Sequence, residues 1–342
     1  MIKTGIIGLG RMGLSHFAIA NAHPDVELAA VCEPSKFMSI AVGKYTGVKC
    51  YKDYKDMIKS EKLDCVLITT PTRFHFEMVQ YALEAGLHVF VEKPFCLNPE
   101  DGKKLVDLAA EKRVVNQVGY HNRFIGTFNE ARRLCETGAI GEVYHVLGEA
   151  YGPVVLKEKG KTWRADPEQG GGCLYDYATH VINLMQYIAG ATESVSGAVL
   201  KSIYSMGVDD AVYGTIHFKD GKTGQLSVNW SDETYRKMST QLTLLGKKGK
   251  IITDAQELKV YFKDEPEAGD NYEKGWNMRW VTDLSPEVGF YLRGEEYSAQ
   301  IEYFISCVKN NRTENRNSFH EAYNTDCVVD QFKKESKTRQ GQ

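Results

Sequence analysis

Four short stretches carry residue types whose spacing could support chemistry. The first is Gly8-Leu9-Gly10-Arg11-Met12-Gly13. It follows the apolar pair Ile6-Ile7 and opens a segment with Leu14, Phe17 and Ala18 at i, i+3 and i+4, the spacing of a helix face. In that context the first glycine permits a tight turn, the second lets backbone approach a pyrophosphate, and the third allows close helix–strand packing. Arg11 and Met12 lie in the same cofactor-binding stretch. Glu33 ends the next apolar run, 20 positions after Gly13. A carboxylate there accepts from both ribose hydroxyls and repels a 2′-phosphate. NAD is the expected cofactor, and Ser35 and Lys36 keep NADP open.

The second stretch, Thr69-Thr70-Pro71-Thr72-Arg73-Phe74-His75, follows a strong apolar run. Open parallel sheets bind ligands beyond their strand C-termini, so Thr70, Pro71 and His75 are expected to flank the cofactor. A His75 that only satisfies backbone groups at a helix start is the competing reading. The third, Val89-Phe90-Val91-Glu92-Lys93-Pro94-Phe95, ends an apolar strand in a carboxylate, an ammonium and a proline. At that strand end Lys93 can donate to a substrate hydroxyl or a developing alkoxide, whereas a lysine elsewhere would be a solvated surface group. Glu92 would hold Lys93 or contact the ribose side of the cofactor, and an X–Pro bond is the common place for a cis peptide. The fourth, Gly170-Gly171-Gly172-Cys173-Leu174-Tyr175-Asp176-Tyr177-Ala178-Thr179-His180, leaves room for a ligand or a close strand and then begins a helix. Asp176 and His180 stand at i and i+4 on one face. Three readings stand open: two metal ligands lacking an obvious third, a surface pair, or an acid/base pair in which Asp176 orients His180. The last also accounts for the glycines, and no metal is expected.

The elements that must position these groups fall into two halves. Up to about residue 120, short apolar runs (26–32, 64–70, 88–92, 114–119) alternate with helical patterns such as Leu105, Leu108 and Ala109, and Gly86 is placed as a helix C′ residue. Continuous apolar strands separated by helices indicate a doubly wound parallel sheet covered on both faces. Beyond it, a strand at 143–151 and a helix at about 173–189 precede six strand candidates between 194 and 262. Asp220-Gly221 marks a hairpin between two of them. This predicts a second α/β domain with a large open sheet, mostly antiparallel or mixed. The expected domains are 1–120, binding NAD(P), and 121–342, binding substrate and carrying oligomer contacts. Two closing helices are expected at about 295–310 and 320–335, and the Gly-, Pro- and acid-rich 264–289 segment reads as an excursion from the sheet.

The 342 residues suit about two domains of roughly 150 each. With 42 Lys and Arg against 45 Asp and Glu, nothing suggests a polyanion-binding surface, so nucleic acid is not an expected partner. No apolar run approaches the roughly 20 residues of a membrane helix. The eight cysteines are scattered without a C-x-x-C pair, which points to reduced thiols and a soluble, cytoplasmic protein without structural zinc. The sequons at Asn229 and Asn311 carry little weight in that setting.

Gly8-x-Gly10-x-x-Gly13, then Glu92-Lys93-Pro94, then Gly170-Gly171-Gly172-x-x-x-Asp176-x-x-x-His180, in this order and spacing, resemble the glucose–fructose oxidoreductase/inositol dehydrogenase/rhizopine catabolism (Gfo/Idh/MocA) family. The resemblance covers essentially the whole chain. It implies an N-terminal Rossmann domain and a C-terminal α/β domain whose open sheet commonly forms the oligomer contact, here a homodimer or homotetramer. It also implies Lys93, Asp176 and His180 as the catalytic group beside the nicotinamide. The implied activity is an NAD-dependent hydride transfer between nicotinamide and a secondary alcohol of a sugar or nucleotide-sugar. A cyclitol dehydrogenase and a keto-sugar reductase are alternatives, as is a non-catalytic NAD(P)-binding regulator, which should have lost Lys93 or His180. Tyr120, His121 and Arg123 cross the domain junction and are candidates for a substrate crevice. Trp163 and Arg164 are candidates because similar Trp-Arg segments in the family approach cofactor or substrate. For both arginines a salt bridge is the competing reading. Asn122-Arg123-Phe124-Ile125-Gly126 stands where inositol-type members often carry an Arg-Tyr-Asp-like segment, which departs from cyclitol specificity. Arg293, Glu295 and Glu296 could reach a substrate or a neighbouring subunit.

Overall fold

A computed structural model describes residues 1–158, 162–266, 269, 271–285 and 295–340. Arg293 and the Glu295 side chain lie outside the described residues. By contact the chain forms two compact units, Met1–His121 with Glu287–Tyr323, and Asn122–Pro286 with Asn324–Gln342.

The first unit holds strands β1 (Ile2–Ile7), β2 (Val26–Cys32), β3 (Lys49–Tyr51), β4 (Cys65–Ile68), β5 (His88–Val91) and β6 (Asn116–Val118). They form one sheet in the order β3-β2-β1-β4-β5-β6, every pairing parallel. Helices α1 (Arg11–Ala22), α2 (Lys36–Thr46), α3 (Tyr54–Ser60), α4 (His75–Glu84) and α5 (Pro99–Lys112) connect them. Because successive side chains point to opposite faces, the four buried residues of β4 divide between two cores. Val66 and Ile68 join Val79, Leu83 and Leu105, while Cys65 and Leu67 join Phe17, Ile19 and Phe304. Helix starts and stops follow local chemistry: Asn98 caps α5 ahead of Pro99, and Gly86 ends α4 at φ +77°.

Residues 121–342 do not form one continuous unit. Helix α9 (Glu295–Lys309) brings Ile301, Phe304, Ile305 and Val308 into the core that also holds Ile6 and Phe17, which is why 287–323 group with the first unit.

The second unit is built on an eight-stranded sheet: β7 (Val143–Tyr151), β8 (Thr192–Lys201), β9 (Ala211–Phe218), β10 (Thr223–Asn229), β11 (Ser239–Gly246), β12 (Gly249–Asp254), β13 (Glu257–Phe262) and β14 (Gly275–Trp280). The order is β14-β13-β12-β11-β7-β10-β9-β8, with only β7–β10 parallel. Alternation in β10 and β13 buries Leu226, Val228, Leu258 and Val260 on one face and leaves the other open. Helices α6 (Gly126–Glu136) and α7 (Thr179–Ala189) belong to this unit, with the short α8 (Val281–Leu284) and, beyond residue 323, most of α10 (Phe319–Gln340). Segment 264–289 is not wholly an excursion, since it contributes β14, paired antiparallel with β13 at the sheet edge. Among the described residues no helix is long and apolar enough to cross a membrane.

Candidate active site

In the first unit the candidate residues gather at the C-terminal ends of β1, β2, β4 and β5. The chain leaves β1 through Gly8, at φ +94°, and turns into α1 with Gly10 as its N-cap. A Cβ on Gly13 would lie 2.1 Å from the Gly8 carbonyl oxygen, so helix and loop approach closely enough to require glycine. Among the described residues nothing lies within 4 Å of a Cβ position on Gly10, which leaves its backbone open to a ligand at a helix N-terminus. Arg11 is exposed and Met12 half-buried beside it. Glu33 is held at this loop by two backbone donors, Leu9 N at 2.8 Å on one carboxylate oxygen and Ser35 N at 2.9 Å on the other. Open backbone at a helix N-terminus with a fixed carboxylate 20 residues on fits a dinucleotide.

Thr69, missed in the sequence, ties the end of β4 to the glycine loop by donating to the Gly8 carbonyl at 2.6 Å. Pro71 caps a short 3₁₀ turn that leads into α4. His75, fully buried, sits between backbone carbonyls: Nε2 is 3.0 Å from Thr70 O, and Nδ1 is 3.0 Å from Pro94 O and 3.2 Å from Phe95 O. It thus links the loop after β4 to the loop after β5, and burial pushes its pKa below the ordinary value.

The end of β5 is organised around Glu92. One carboxylate oxygen lies 2.6 Å from His16 Nε2, and the other accepts from Lys93 N at 3.2 Å. Gly119 faces the same carboxylate so closely that a Cβ would meet it at 2.9 Å. Burial works against the charge, but the His16 hydrogen bond and the His16, Lys93 and His121 charges outweigh it. Together they hold Glu92 below the usual carboxylate range. Lys93 is half-buried next to it, and the Lys93–Pro94 bond is cis. His16 was not singled out in the sequence, although its position three residues after Gly13, on the buried side of α1 with Phe17 and Ala20, was available as a signal. Tyr120 is buried, with its carbonyl held by Asn317 Nδ2 at 3.0 Å, and His121 stacks on Tyr297 with ring centroids 4.7 Å apart.

In the second unit Asp176 and His180 begin a helix whose first turn, Leu174–Ala178, is π-helical. Thr179 N donates to Leu174 O before α7 continues as an ordinary α-helix. Such turns are frequent at functional sites. Both side chains are buried, and Asp176 accepts from Arg164 Nε at 2.9 Å. Arg164 also lies over the Trp163 ring, 4.4 Å from its centroid. The ion-pair reading is therefore realised for Arg164, on the candidate carboxylate itself. Arg123 is buried, donates to Asn183 Oδ1 at 2.7 Å and stacks on Tyr187. Its place is inside the second unit, behind α7.

The glycines before this helix make room for protein rather than for an open cavity. A Cβ on Gly171 would lie 2.5 Å from the Arg164 carbonyl oxygen, and one on Gly172 would lie 2.6 Å from Asp209 Oδ1. Asp209 and Asp210, consecutive acids ahead of β9, were also missed: Asp209 accepts from Leu174 N, 35 positions away, and Asp210 accepts from backbone donors of the loop just before it, which no residue pattern announces. Among the described residues no group of three or more His, Cys, Asp or Glu could hold a metal ion.

Two sequence models of one family match the chain. "Oxidoreductase family, NAD-binding Rossmann fold" covers residues 2–120, and "GFO/IDH/MocA C-terminal domain" covers residues 128–252. D-glucoside 3-dehydrogenase of Escherichia coli (strain K12) is 29% identical over 64% of this chain and 68% of its own length. The scyllo-inositol 2-dehydrogenase (NAD(+)) of Bacillus subtilis (strain 168) is 25% identical over 91% of this chain and 87% of its own. A levoglucosan dehydrogenase solved in complex with NADH superposes with a TM-score of 0.87 at 22% identity, over 98% of this chain and 97% of that one, a likeness of fold.

Proposed function

From the premise that this chain belongs to the Gfo/Idh/MocA family of NAD-binding oxidoreductases, we propose that it oxidises a secondary alcohol of a sugar-type substrate. The reading rests on one observation above others: an ionised, buried Glu92 seats Lys93 at the sheet end that also carries the glycine loop and Glu33. When bound, NAD supplies the hydride acceptor. His180 takes the proton of the substrate hydroxyl, and Lys93 hydrogen-bonds the same oxygen and stabilises its negative character. Asp176, fixed by Arg164, orients His180 or holds a neighbouring hydroxyl. The Glu33 carboxylate favours NAD over NADP, since a negative charge at the end of β2 would repel a 2′-phosphate.

Relatives named for a glucoside and an inositol support a sugar or cyclitol substrate, and a nucleotide-sugar is kept as the alternative. Keto-sugar reduction is the same chemistry reversed. All eight cysteines are free thiols, which suits a reducing compartment, and we assign the enzyme to the cytoplasm. The open face of the eight-stranded sheet is assigned to self-association as a homodimer or homotetramer, with residues 1–120 serving the cofactor and the remainder the substrate.

The test is to titrate the purified chain with NAD or NADP and a panel of glycosides, anhydrosugars, nucleotide-sugars and inositols, following the absorbance of reduced nicotinamide. Reduction of NAD by one class is expected, and activity on none would point to a cofactor-binding regulator instead. His180→Ala should lower kcat by about 10²- to 10⁴-fold with NAD affinity retained. A parallel loss of NAD binding would sink the general-base assignment.

A further inference from the structure

Asp209 and Asp210 are neighbours in sequence with separate duties. Asp210 is fully buried and closes the preceding loop upon itself. One of its oxygens accepts from Ile203 N, Tyr204 N and Ser205 N at 2.7, 2.7 and 2.8 Å, and the other from Ser205 Oγ and Trp230 Nε1 at 2.6 Å each. Burial opposes that charge, but these donors outweigh it and hold the carboxyl below its usual range. Its work is finished within the loop and the adjoining strand.

Asp209 works on the helix start. Its carbonyl accepts from Cys173 N at 2.8 Å, its Oδ2 accepts from Leu174 N at 2.6 Å, and its Oδ1 stands over Gly172 where a Cβ would come within 2.6 Å. One residue thereby fixes three consecutive positions, 172 to 174. The far side of the same segment is held by Gly172 N donating to Arg164 O at 3.1 Å. Two residues on is Asp176, whose own N–H donates to Gly172 O at 3.0 Å, and six on is His180. Leu174 N is one of the donors that a helix start leaves without an intrahelical partner, and the Asp209 carboxylate supplies what a capping side chain would.

The arrangement is costly. Burial pushes the Asp209 carboxyl up to about 6, and Asp210 adds to the rise, while the Leu174 N–H and the Lys333 ammonium work against it. Gly172 adopts φ +107°, a conformation few other residues tolerate, with this carboxylate against it.

We propose that Asp209 is a positioning residue for catalysis: it seats the 172–174 segment so that Asp176 and His180 leave the π turn in their working orientation. This rests on the assignment of His180 as general base. It also accounts for the glycine run, whose third member gives way to Asp209 rather than to substrate.

The test compares Asp209→Leu, similar in bulk without an acceptor, with Asp209→Asn, which keeps an acceptor oxygen and drops the charge. Two readouts are used: steady-state kinetics, and peptide-resolved amide hydrogen exchange over 172–182 with the β4 peptide as reference. Asp209→Leu should lose roughly 10²-fold in kcat, the scale of a 1 Å misplacement, with NADH affinity unchanged and faster exchange confined to 172–182. Asp209→Asn should recover most of kcat and of the protection. Wild-type kcat in Asp209→Leu, or an Asn variant no better than Leu, overturns the proposal. Should the Leu variant fail to fold, exchange in the Asn variant decides: protection near the wild-type level supports the acceptor role, and its collapse overturns it. If the wild type reduces NAD with no substrate, the general-base reading fails on its own account. The exchange of 172–182 then still settles whether Asp209 seats the segment.

Discussion

At the residue scale the most consequential contact is one the sequence reading passed over, His16 to Glu92. A buried carboxylate with one oxygen on His16 and the other on Lys93 N is held in both position and charge state. Replacing His16 by Phe fills the space beside Phe90 but removes the donor, and loss of one partner of a charged hydrogen bond costs about 2 kcal/mol. Glu92 titrates below its unfolded value. Its contribution to stability is therefore present above the unfolded carboxylate pKa and lost as pH falls through the folded one. His16→Phe should thus melt earlier than wild type at neutral pH, and the gap should narrow on acidification. It should also lower kcat more than it weakens NADH binding, because Lys93 loses its seat while the glycine loop stays intact. Thermal melts across pH and NADH titrations check this, and a pH-independent gap would show that Glu92 is not the group involved. His16 resisted reading because its meaning depends on a residue 76 positions away. By contrast Lys93 was marked by its place at a strand end and Asp176 and His180 by their i, i+4 spacing, while their grouping as a catalytic set came from the family resemblance.

At the scale of elements, the parts legible in the sequence are those whose signal is local. β4 and the C-terminal parts of β1, β2 and β5 are continuous apolar runs because both sheet faces are covered, and the glycine motif reports a turn and a helix contact within six residues. Gly13→Ala tests that contact. A methyl group 2.1 Å from the Gly8 carbonyl oxygen cannot be accommodated by a rotamer, so α1 must move off the loop. NADH affinity should fall at least tenfold, about 1.4 kcal/mol, while a pocket in the second unit such as that lined by Val154, Arg164 and Met206 is unaffected. Unchanged NADH affinity by fluorescence titration would contradict the dinucleotide assignment of this loop. The elements that escaped notice lack local signals. β3 has three residues at the sheet edge, and β14 alternates in the wrong sense, with Trp276, Met278 and Trp280 outward and Asn277 and Arg279 less exposed. The π turn before α7 escaped as well, because its pattern differs from an α-helix by one residue per turn, and the carboxylate that accepts from its first N–H, Asp209, comes from 35 positions downstream.

At the scale of the whole molecule, β14 presents an apolar stripe that the described residues leave exposed. Trp276, Met278 and Trp280 are 60%, 47% and 50% exposed at alternating positions of an edge strand, so they share one face. Edge strands are usually blunted by charge or by cover, and a run of large apolar side chains on one invites association. The stripe continues inward through Tyr261, whose ring lies 5.4 Å from Trp276, onto the face of the sheet left open by α6 and α7. A second copy of the chain covering that face would bury these side chains. The wild type should therefore sediment as a dimer or tetramer, and Trp276→Lys with Trp280→Lys should shift it toward the monomer while NADH affinity holds. Each buried indole contributes about 2 kcal/mol of transfer free energy, enough to move a micromolar dimer well into dissociation when two are lost per protomer. Analytical ultracentrifugation of both proteins decides the matter: a monomeric wild type, or a double variant of unchanged mass, removes this face from the assembly.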